Sequence, residues 1–221
     1  MLLVAVLLPL SHMVMAESDP LEGLNRSMYS FNSTVDKYAF KPLAKGYKAV
    51  TPDLVETGVS NFFANLGDVG NLVNNVLQFK LKDAVVDLGR LSFNSTFGLA
   101  GLIDVATPMG LERNNEDFGQ TLGTWGVPSG PYLVMPFFGP STLRDAPASF
   151  VPLDPVYYVD DAKTRNALYA GQLIDARAKL LKYESLVSGD EYIFVRDAYL
   201  GRREQLVNDG VAEEIFDSSD F

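Results

Sequence analysis

EDFGQTLGTWGVPSGPYLVMPFFGPSTLRD, residues 116–145, carries Gly119, Gly123, Gly126, Gly130 and Gly139, Pro128, Pro131, Pro136 and Pro140, and the chain's single tryptophan, Trp125. Glycine opens backbone conformations closed to other residues, while proline fixes φ and removes a donor. No regular element longer than one or two turns is expected here. Yet Val127, Tyr132, Leu133, Val134, Met135, Phe137 and Phe138 make the segment too apolar for a solvated linker, and it is long for an unstructured connection. It must be held against core or lipid, as a buried irregular core segment or as a loop lining an apolar binding path.

Outward from this segment the chain reads as helices. On its N-terminal side, Val85, Val86, Leu88, Leu91, Phe93, Phe97 and Leu99 form one face over 82–102, opposed by Lys82, Asp83, Asp87 and Arg90. Before that, Val69, Leu72, Val73, Val76, Leu77 and Phe79 give a helical stripe over 68–81 whose polar positions are amides: Asn71, Asn74, Asn75 and Gln78. A helix from Pro52 to Leu66 precedes it, with Asn61, Phe62, Phe63 and Asn65, and Gly67 is the expected break. Uncharged amides among apolar residues suit helices lying in lipid or lining an amphipathic lumen. The first helix starts near Leu21 and is expected to end near Pro42. Lys37, Lys41, Lys45 and Lys48, interleaved with Tyr38, Phe40 and Tyr47, suit either a headgroup zone or a solvated face.

On the C-terminal side, Tyr169, Leu173, Ala176, Leu180, Tyr183 and Val187 mark a long helix ended by Gly189. A last helix carries Tyr192, Val195, Tyr199 and Leu206, with Arg196, Arg202 and Arg203 opposite. Residues 208–221 read as an acidic, disordered tail. Tyr132–Met135 is the sole short strand candidate.

Composition narrows the function classes. The chain has 221 residues with 47% hydrophobic content, which suits one domain, 17–207, stabilised by an apolar core. Residues 1–16, MLLVAVLLPLSHMVMA, read as an export signal cut after Val14-Met15-Ala16. There is no cysteine, and the one histidine, His12, lies in that signal. Ser-His-Asp and Cys-His catalysis and His or Cys metal sites are thereby excluded from the mature chain, and no cofactor or metal is expected. A net charge of −10 argues against nucleic acid.

LEGLNRSMYSFN (21–32), GVSNFFANLGD (58–68), GLAGLIDVAT (98–107), the 116–145 segment and DEYIFVRDAYLGRREQL (190–206) together resemble the MlaA/VacJ family of outer-membrane phospholipid-transport proteins. The resemblance implies an all-α fold: an irregular ring of amphipathic helices lying in the membrane plane, with a Gly/Pro-rich central loop. It implies removal of misplaced phospholipid from the outer leaflet through an amphipathic channel, and delivery to a periplasmic lipid carrier. Its implied place is the periplasmic face of a Gram-negative outer membrane, beside a porin trimer, and it implies no enzymatic step. The family is typically a lipoprotein, whereas Met15-Ala16-Glu17 stands where its lipidated cysteine would be. Either the chain stays on the membrane without acylation, or its start lies upstream of Met1.

Within that picture, Trp125, Gly126, Gly130, Pro131 and Tyr132 are expected to form a mobile wall of the lipid path. Asn61, Phe62 and Phe63, with Lys37, Lys41, Lys45 and Lys48, are expected to seat the protein in the membrane. Two other readings compete. One is a scaffold that transports nothing. The other is a hydrolase using two of the carboxylates Asp104, Glu112, Glu116, Asp117 and Asp145.

Overall fold

The computed structural model describes residues 19–187 and 189–209, so the 1–16 signal and most of the acidic tail lie outside the described residues. The architecture is helical with one small hairpin, and no described helix is long and apolar enough to cross a membrane.

Helix α1 (Glu22–Val35) runs through a π turn, Asp36–Phe40, directly into α2 (Lys41–Val50). The expected stop at Pro42 is absent. The wide turn before Pro42 shifts the hydrogen-bond register and absorbs the missing N–H and the clash that proline would otherwise cause.

Helix α3 (Asp53–Leu77) is continuous through the expected break at Gly67. Gly67 marks a close approach instead: a Cβ there would lie 2.9 Å from Nη2 of Arg113. After a turn through Phe79, with φ at 61°, α4 (Leu81–Thr96) runs back antiparallel, so that Asn75 meets Asp87, Asp68 meets Arg90 and Asn65 meets Ser95.

The polarity of this helical hairpin is inverted. Asn65, Asp68, Asn71, Asn74, Asn75 and Gln78 are buried on the inner face of α3, and Asp87, Arg90 and Asn94 on that of α4. Leu54, Phe79, Leu81, Val85, Leu88 and Phe97 are exposed. The amides expected to meet lipid or a lumen instead fill the seam between the helices. Unpaired, each would cost about 1–3 kcal/mol, which explains the density of the bonding. Nδ2 of Asn75 donates to Asp87 at 2.7 Å, and Nη1 of Arg90 donates to the Leu111 carbonyl at 2.6 Å and to Oγ1 of Thr107 at 2.9 Å. Asp68 lies between Arg90 and Arg113, at 3.2 and 2.9 Å.

The expected apolar core is correspondingly small. Nineteen polar or charged side chains are buried among the described residues against eleven apolar ones, six of them alanines. The largest apolar cluster joins Tyr132, Val134 and Tyr192, with Met28, Tyr29 and Tyr199 around it.

Two strands, β1 (Tyr132–Met135) and β2 (Gly139–Thr142), form an antiparallel hairpin in which Tyr132 pairs with Thr142. The second strand was not expected, because Gly139-Pro140 lacks strand-forming residues; proline is tolerated at a sheet edge. On the other edge of β1, α1 replaces a third strand. Asn25 donates to the Tyr132 carbonyl and accepts from the Val134 amide, and Asn32 does the same for the Met135 carbonyl and the Phe137 amide.

The remaining α-helices are α5 (Phe118–Thr124), α6 (Asp145–Ala148), α7 (Ala162–Leu180) and α8 (Glu191–Val207), with 3-10 turns at Thr107–Met109 and Pro155–Tyr158. Side-chain oxygens of Asp117, Asp161 and Asp190 cap α5, α7 and α8 respectively. The long helix expected to reach Val187 tightens into a 3-10 turn over Leu181–Leu186.

Candidate lipid site

The 116–145 segment is built as a short capped helix, a glycine-rich turn and the hairpin. Trp125 ends α5 half exposed; its indole N–H donates to the Leu77 carbonyl at 3.0 Å, and its ring meets the edge of Phe118. Gly126 follows with φ at 87° and open space where a Cβ would point, so only its backbone conformation demands glycine. At Gly130, φ is 68° and a Cβ would lie 3.0 Å from that of Leu143. The aromatics of the hairpin turn point outward: Phe137 is exposed against Phe31, and Phe138 against Phe150.

Between this segment and the last turns of α8 lies a cavity of about 350 Å³. Gly130, Pro131 and Tyr132 line it, together with Asp19, Arg144, Arg196 and Arg203. Trp125 and Gly126 sit outside it, so the five residues expected along a lipid path divide into two places.

One wall is an ion cluster. Arg203 donates to Asp145 at 2.7 Å and grips Asp117 with both terminal nitrogens, while Arg144 donates to Asp145 at 2.7 Å. Burial pushes the Asp145 carboxyl up, but the hydrogen bonds from Arg144 and Arg203 outweigh it and hold it at about 2. Asp117 is likewise held below its usual value, burial being overcome by Arg203. Tyr199 donates its hydroxyl to Asp145 at 3.1 Å, tying α8 to α6.

The residues expected to seat the protein in the membrane are spread over the π turn, α2 and α3. Asn61 is half buried and donates to the Leu102 carbonyl at 3.3 Å. Phe62 and Phe63 meet edge to face and are both half buried, and Phe63 approaches Gly171 of α7. Lys41 pairs with Glu184 and Lys48 with Glu56, at 2.8 and 3.2 Å. Lys37 lies over the Tyr38 ring, and Lys45 is exposed.

A profile of the MlaA lipoprotein family matches residues 17–206. The chain belongs to this family. It is 38% identical to the protein named intermembrane phospholipid transport system lipoprotein MlaA of Shigella flexneri, over 87% of this chain and 80% of that one. It is 33% identical to the Haemophilus influenzae protein of the same name, over 89% and 82% of the two chains. Among solved structures it is similar, with a TM-score of 0.75 and 35% identity over 86% of this chain and all of the other, to one from work on the structural basis for maintenance of bacterial outer membrane lipid asymmetry. The mostly helical MlaA architecture expected from the sequence is therefore present.

In this MlaA chain the carboxylates considered for hydrolysis are engaged structurally. Asp104 accepts from Thr107, Arg90 and Asn94, and these bonds outweigh burial and hold its carboxyl at about 2. Glu116 accepts from Gln78 and Lys80, and Asp117 and Asp145 share Arg203. Asp104 and Asp145, held that low, donate no proton near neutrality. Glu112 is exposed.

Arginines 196 and 203 were expected on the outer face of α8, and both turn inward while Arg202 stays out. A signal was present: Arg196, Leu200, Arg203 and Val207 recur at steps of four, three and four, the spacing of one buried stripe.

Proposed function

We propose that this MlaA-family chain is the outer-membrane component of a phospholipid-transport system, taking misplaced phospholipid from the outer leaflet and passing it to a periplasmic carrier to maintain lipid asymmetry. The observation that carries the reading is the inverted α3–α4 hairpin. An exposed face of Leu54, Phe79, Leu81, Val85, Leu88 and Phe97 around a seam of amides and ion pairs is unstable against water and stable in a lipid leaflet. In this reading the helices lie in the membrane plane, on the periplasmic side, with a porin trimer as neighbour, as the family resemblance implies. The names of the relatives support the cargo, since they are called phospholipid transport lipoproteins. The reaction is transfer without a bond made or broken.

The test is the lipid asymmetry of cells with and without the gene. Surface-exposed phospholipid should rise on deletion and return to baseline when the chain is restored. Unchanged surface phospholipid on deletion would refute transport. In that case, protein that carries no phospholipid through purification would point to a scaffold.

A further inference from the structure

We propose that the π turn, α2 and the C-terminal end of α7 present a lysine ridge that docks on anionic phospholipid headgroups, with Lys37, Lys45 and Lys182 as its contacts. This rests on the membrane placement proposed above and adds to it a preference for anionic over zwitterionic lipid.

Helix α2 packs against α7, and one ion network joins them. Nε and Nη2 of Arg177 donate to Asp36 at 2.6 and 2.8 Å, Nη2 also donates to Glu184 at 2.5 Å, and Lys41 pairs with Glu184 at 2.8 Å. The other carboxylates bonded to these helices are spent as well. Asp175 meets Lys179 at 2.7 Å and accepts from the Ser60 hydroxyl at 2.6 Å, and Glu56 meets Lys48 at 3.2 Å. Three lysines are left over. Lys37, Lys45 and Lys182 are exposed, and none has a carboxylate partner among the described residues.

All three border that network. Lys37 follows Asp36, Lys182 lies two residues before Glu184, and Lys45 stands one turn beyond Lys41, about 6 Å along the helix. Three uncompensated ammonium groups on one pair of packed helices, in a chain of net charge −10, are drawn to an anionic surface and gain nothing from a neutral one.

The surroundings select lipid over an acidic protein. Lys37 lies 5.5 Å from the centre of the Tyr38 ring and Lys182 4.8 Å from that of Tyr183, and both rings are exposed. A lysine stem beside a tyrosine suits the headgroup zone, where the ring sits at the boundary and the ammonium stays in water. The network's arginine, whose planar fork would suit the carboxylates of a protein partner, is spent on Asp36 and Glu184. Helix α2 also leads straight into Val50 and Leu54, 81% and 84% exposed, and Leu54 belongs to the apolar face assigned to lipid, so the ridge continues into that face.

The experiment is flotation of the full chain at low salt with vesicles of phosphatidylcholine alone and with phosphatidylglycerol added. The wild type should float with both and partition into the anionic vesicles on the order of a hundredfold better, about fivefold for each of three lysines. Added salt should shrink the difference. Lys37→Gln, Lys45→Gln and Lys182→Gln together should abolish the preference and keep the phosphatidylcholine binding, whereas Lys37→Arg, Lys45→Arg and Lys182→Arg together should keep both. Lys163→Gln with Arg202→Gln, exposed cations outside the ridge, should change the preference little. Melting curves in detergent should be nearly unchanged at these exposed positions; if the triple glutamine variant fails to fold, the single ones decide, each losing about fivefold. Equal partition of the wild type into both vesicles overturns the ridge and leaves the membrane reading standing. So does a preference that survives in the folded glutamine variants, or one lost equally in the control pair. Polyglutamate bound by the wild type and not by the triple variant, with no preference between vesicles, overturns the lipid assignment in favour of an acidic protein partner. Flotation with neither vesicle overturns the membrane reading itself.

Discussion

Val85 lies midway along the exposed face of α4, 68% accessible, with Leu81 and Leu88 beside it on the same face. If that face met water, Val85→Asp would be one more charged surface residue, with a stability change within about 0.5 kcal/mol. If it meets hydrocarbon, the aspartate costs on the order of 2.5–3.5 kcal/mol at full depth, roughly a 60- to 300-fold fall in membrane partition. A helix lying in one leaflet reaches less than full depth, so this range is an upper bound. The position is chosen because no internal packing confounds it. Phe63→Asp would also break a contact with α7 at Gly171, and a loss of membrane binding there would have two causes. The assay is flotation of the purified chain with liposomes, alongside its melting temperature in detergent. Val85→Asp and Leu88→Asp should leave the melting temperature nearly unchanged, and together should move the protein out of the floating fraction. Full flotation of the double variant, with the fold intact, would refute the claim that this face is the lipid face.

The reverse substitution inside the same hairpin should fail differently. Arg90→Ala removes the donor to Asp68, Thr107 and the Leu111 carbonyl and should cost about 3–5 kcal/mol, read as a collapse of the melting transition in detergent. Gly98→Ala should destabilise by about 1–3 kcal/mol or more, because its Cβ would sit 2.5 Å from the Asn94 carbonyl oxygen and closer still to that of Ile103. Acid unfolding should track Asp145: its folded value of about 2 lies below the ordinary carboxylate value, so the stabilisation is complete above pH ~4 and is lost as pH falls toward ~2, about 2 kcal/mol in all. Arg203→Met should flatten that acid-side loss in a pH series of denaturation curves. Replacing Lys37, Lys41, Lys45 and Lys48 by glutamate should lower retention on anionic vesicles, by about 1 kcal/mol per lysine that reaches the surface, and most at low salt. Because Lys41 and Lys48 also pair with Glu184 and Glu56, Lys37→Glu with Lys45→Glu is the cleaner membrane test.

Hydrophobic periodicity states that a helix has an apolar face, and leaves open whether that face looks in or out. The stripes on α3 and α4 were legible, and so was the strand at Tyr132–Met135, whereas the short α5 lay in a segment read only as irregular. What periodicity could not supply was the direction. The deciding pattern was the polar one: Asn61, Asn65, Asp68, Asn71, Asn75 and Gln78 recur at steps of four, three, three, four and three, a helical seam made of side chains that compete with backbone hydrogen bonds. Polar residues on a solvated face would be lysines and glutamates, which lose little by facing water; amides repeated along one stripe gain most by bonding one another in a dry interface. Facing them, α4 offers Asp87, Arg90 and Asn94, two of them charged and read from sequence as outer-face residues. Arg196 and Arg203 follow the same logic on α8, where both line the cavity beside residues 129–132 and Arg203 bonds Asp117 and Asp145. The rest depended on contacts distant in sequence. Asn25 and Asn32 serve as the missing third strand for a segment more than a hundred residues away, and no local signal predicts that. In a helical hairpin whose outer face is apolar, hydrogen bonds in the seam take over the role of specifying which elements meet. Substitutions at buried amides should therefore be less tolerated than hydrophobic exchanges on the exposed face, the opposite of the order in a water-soluble protein.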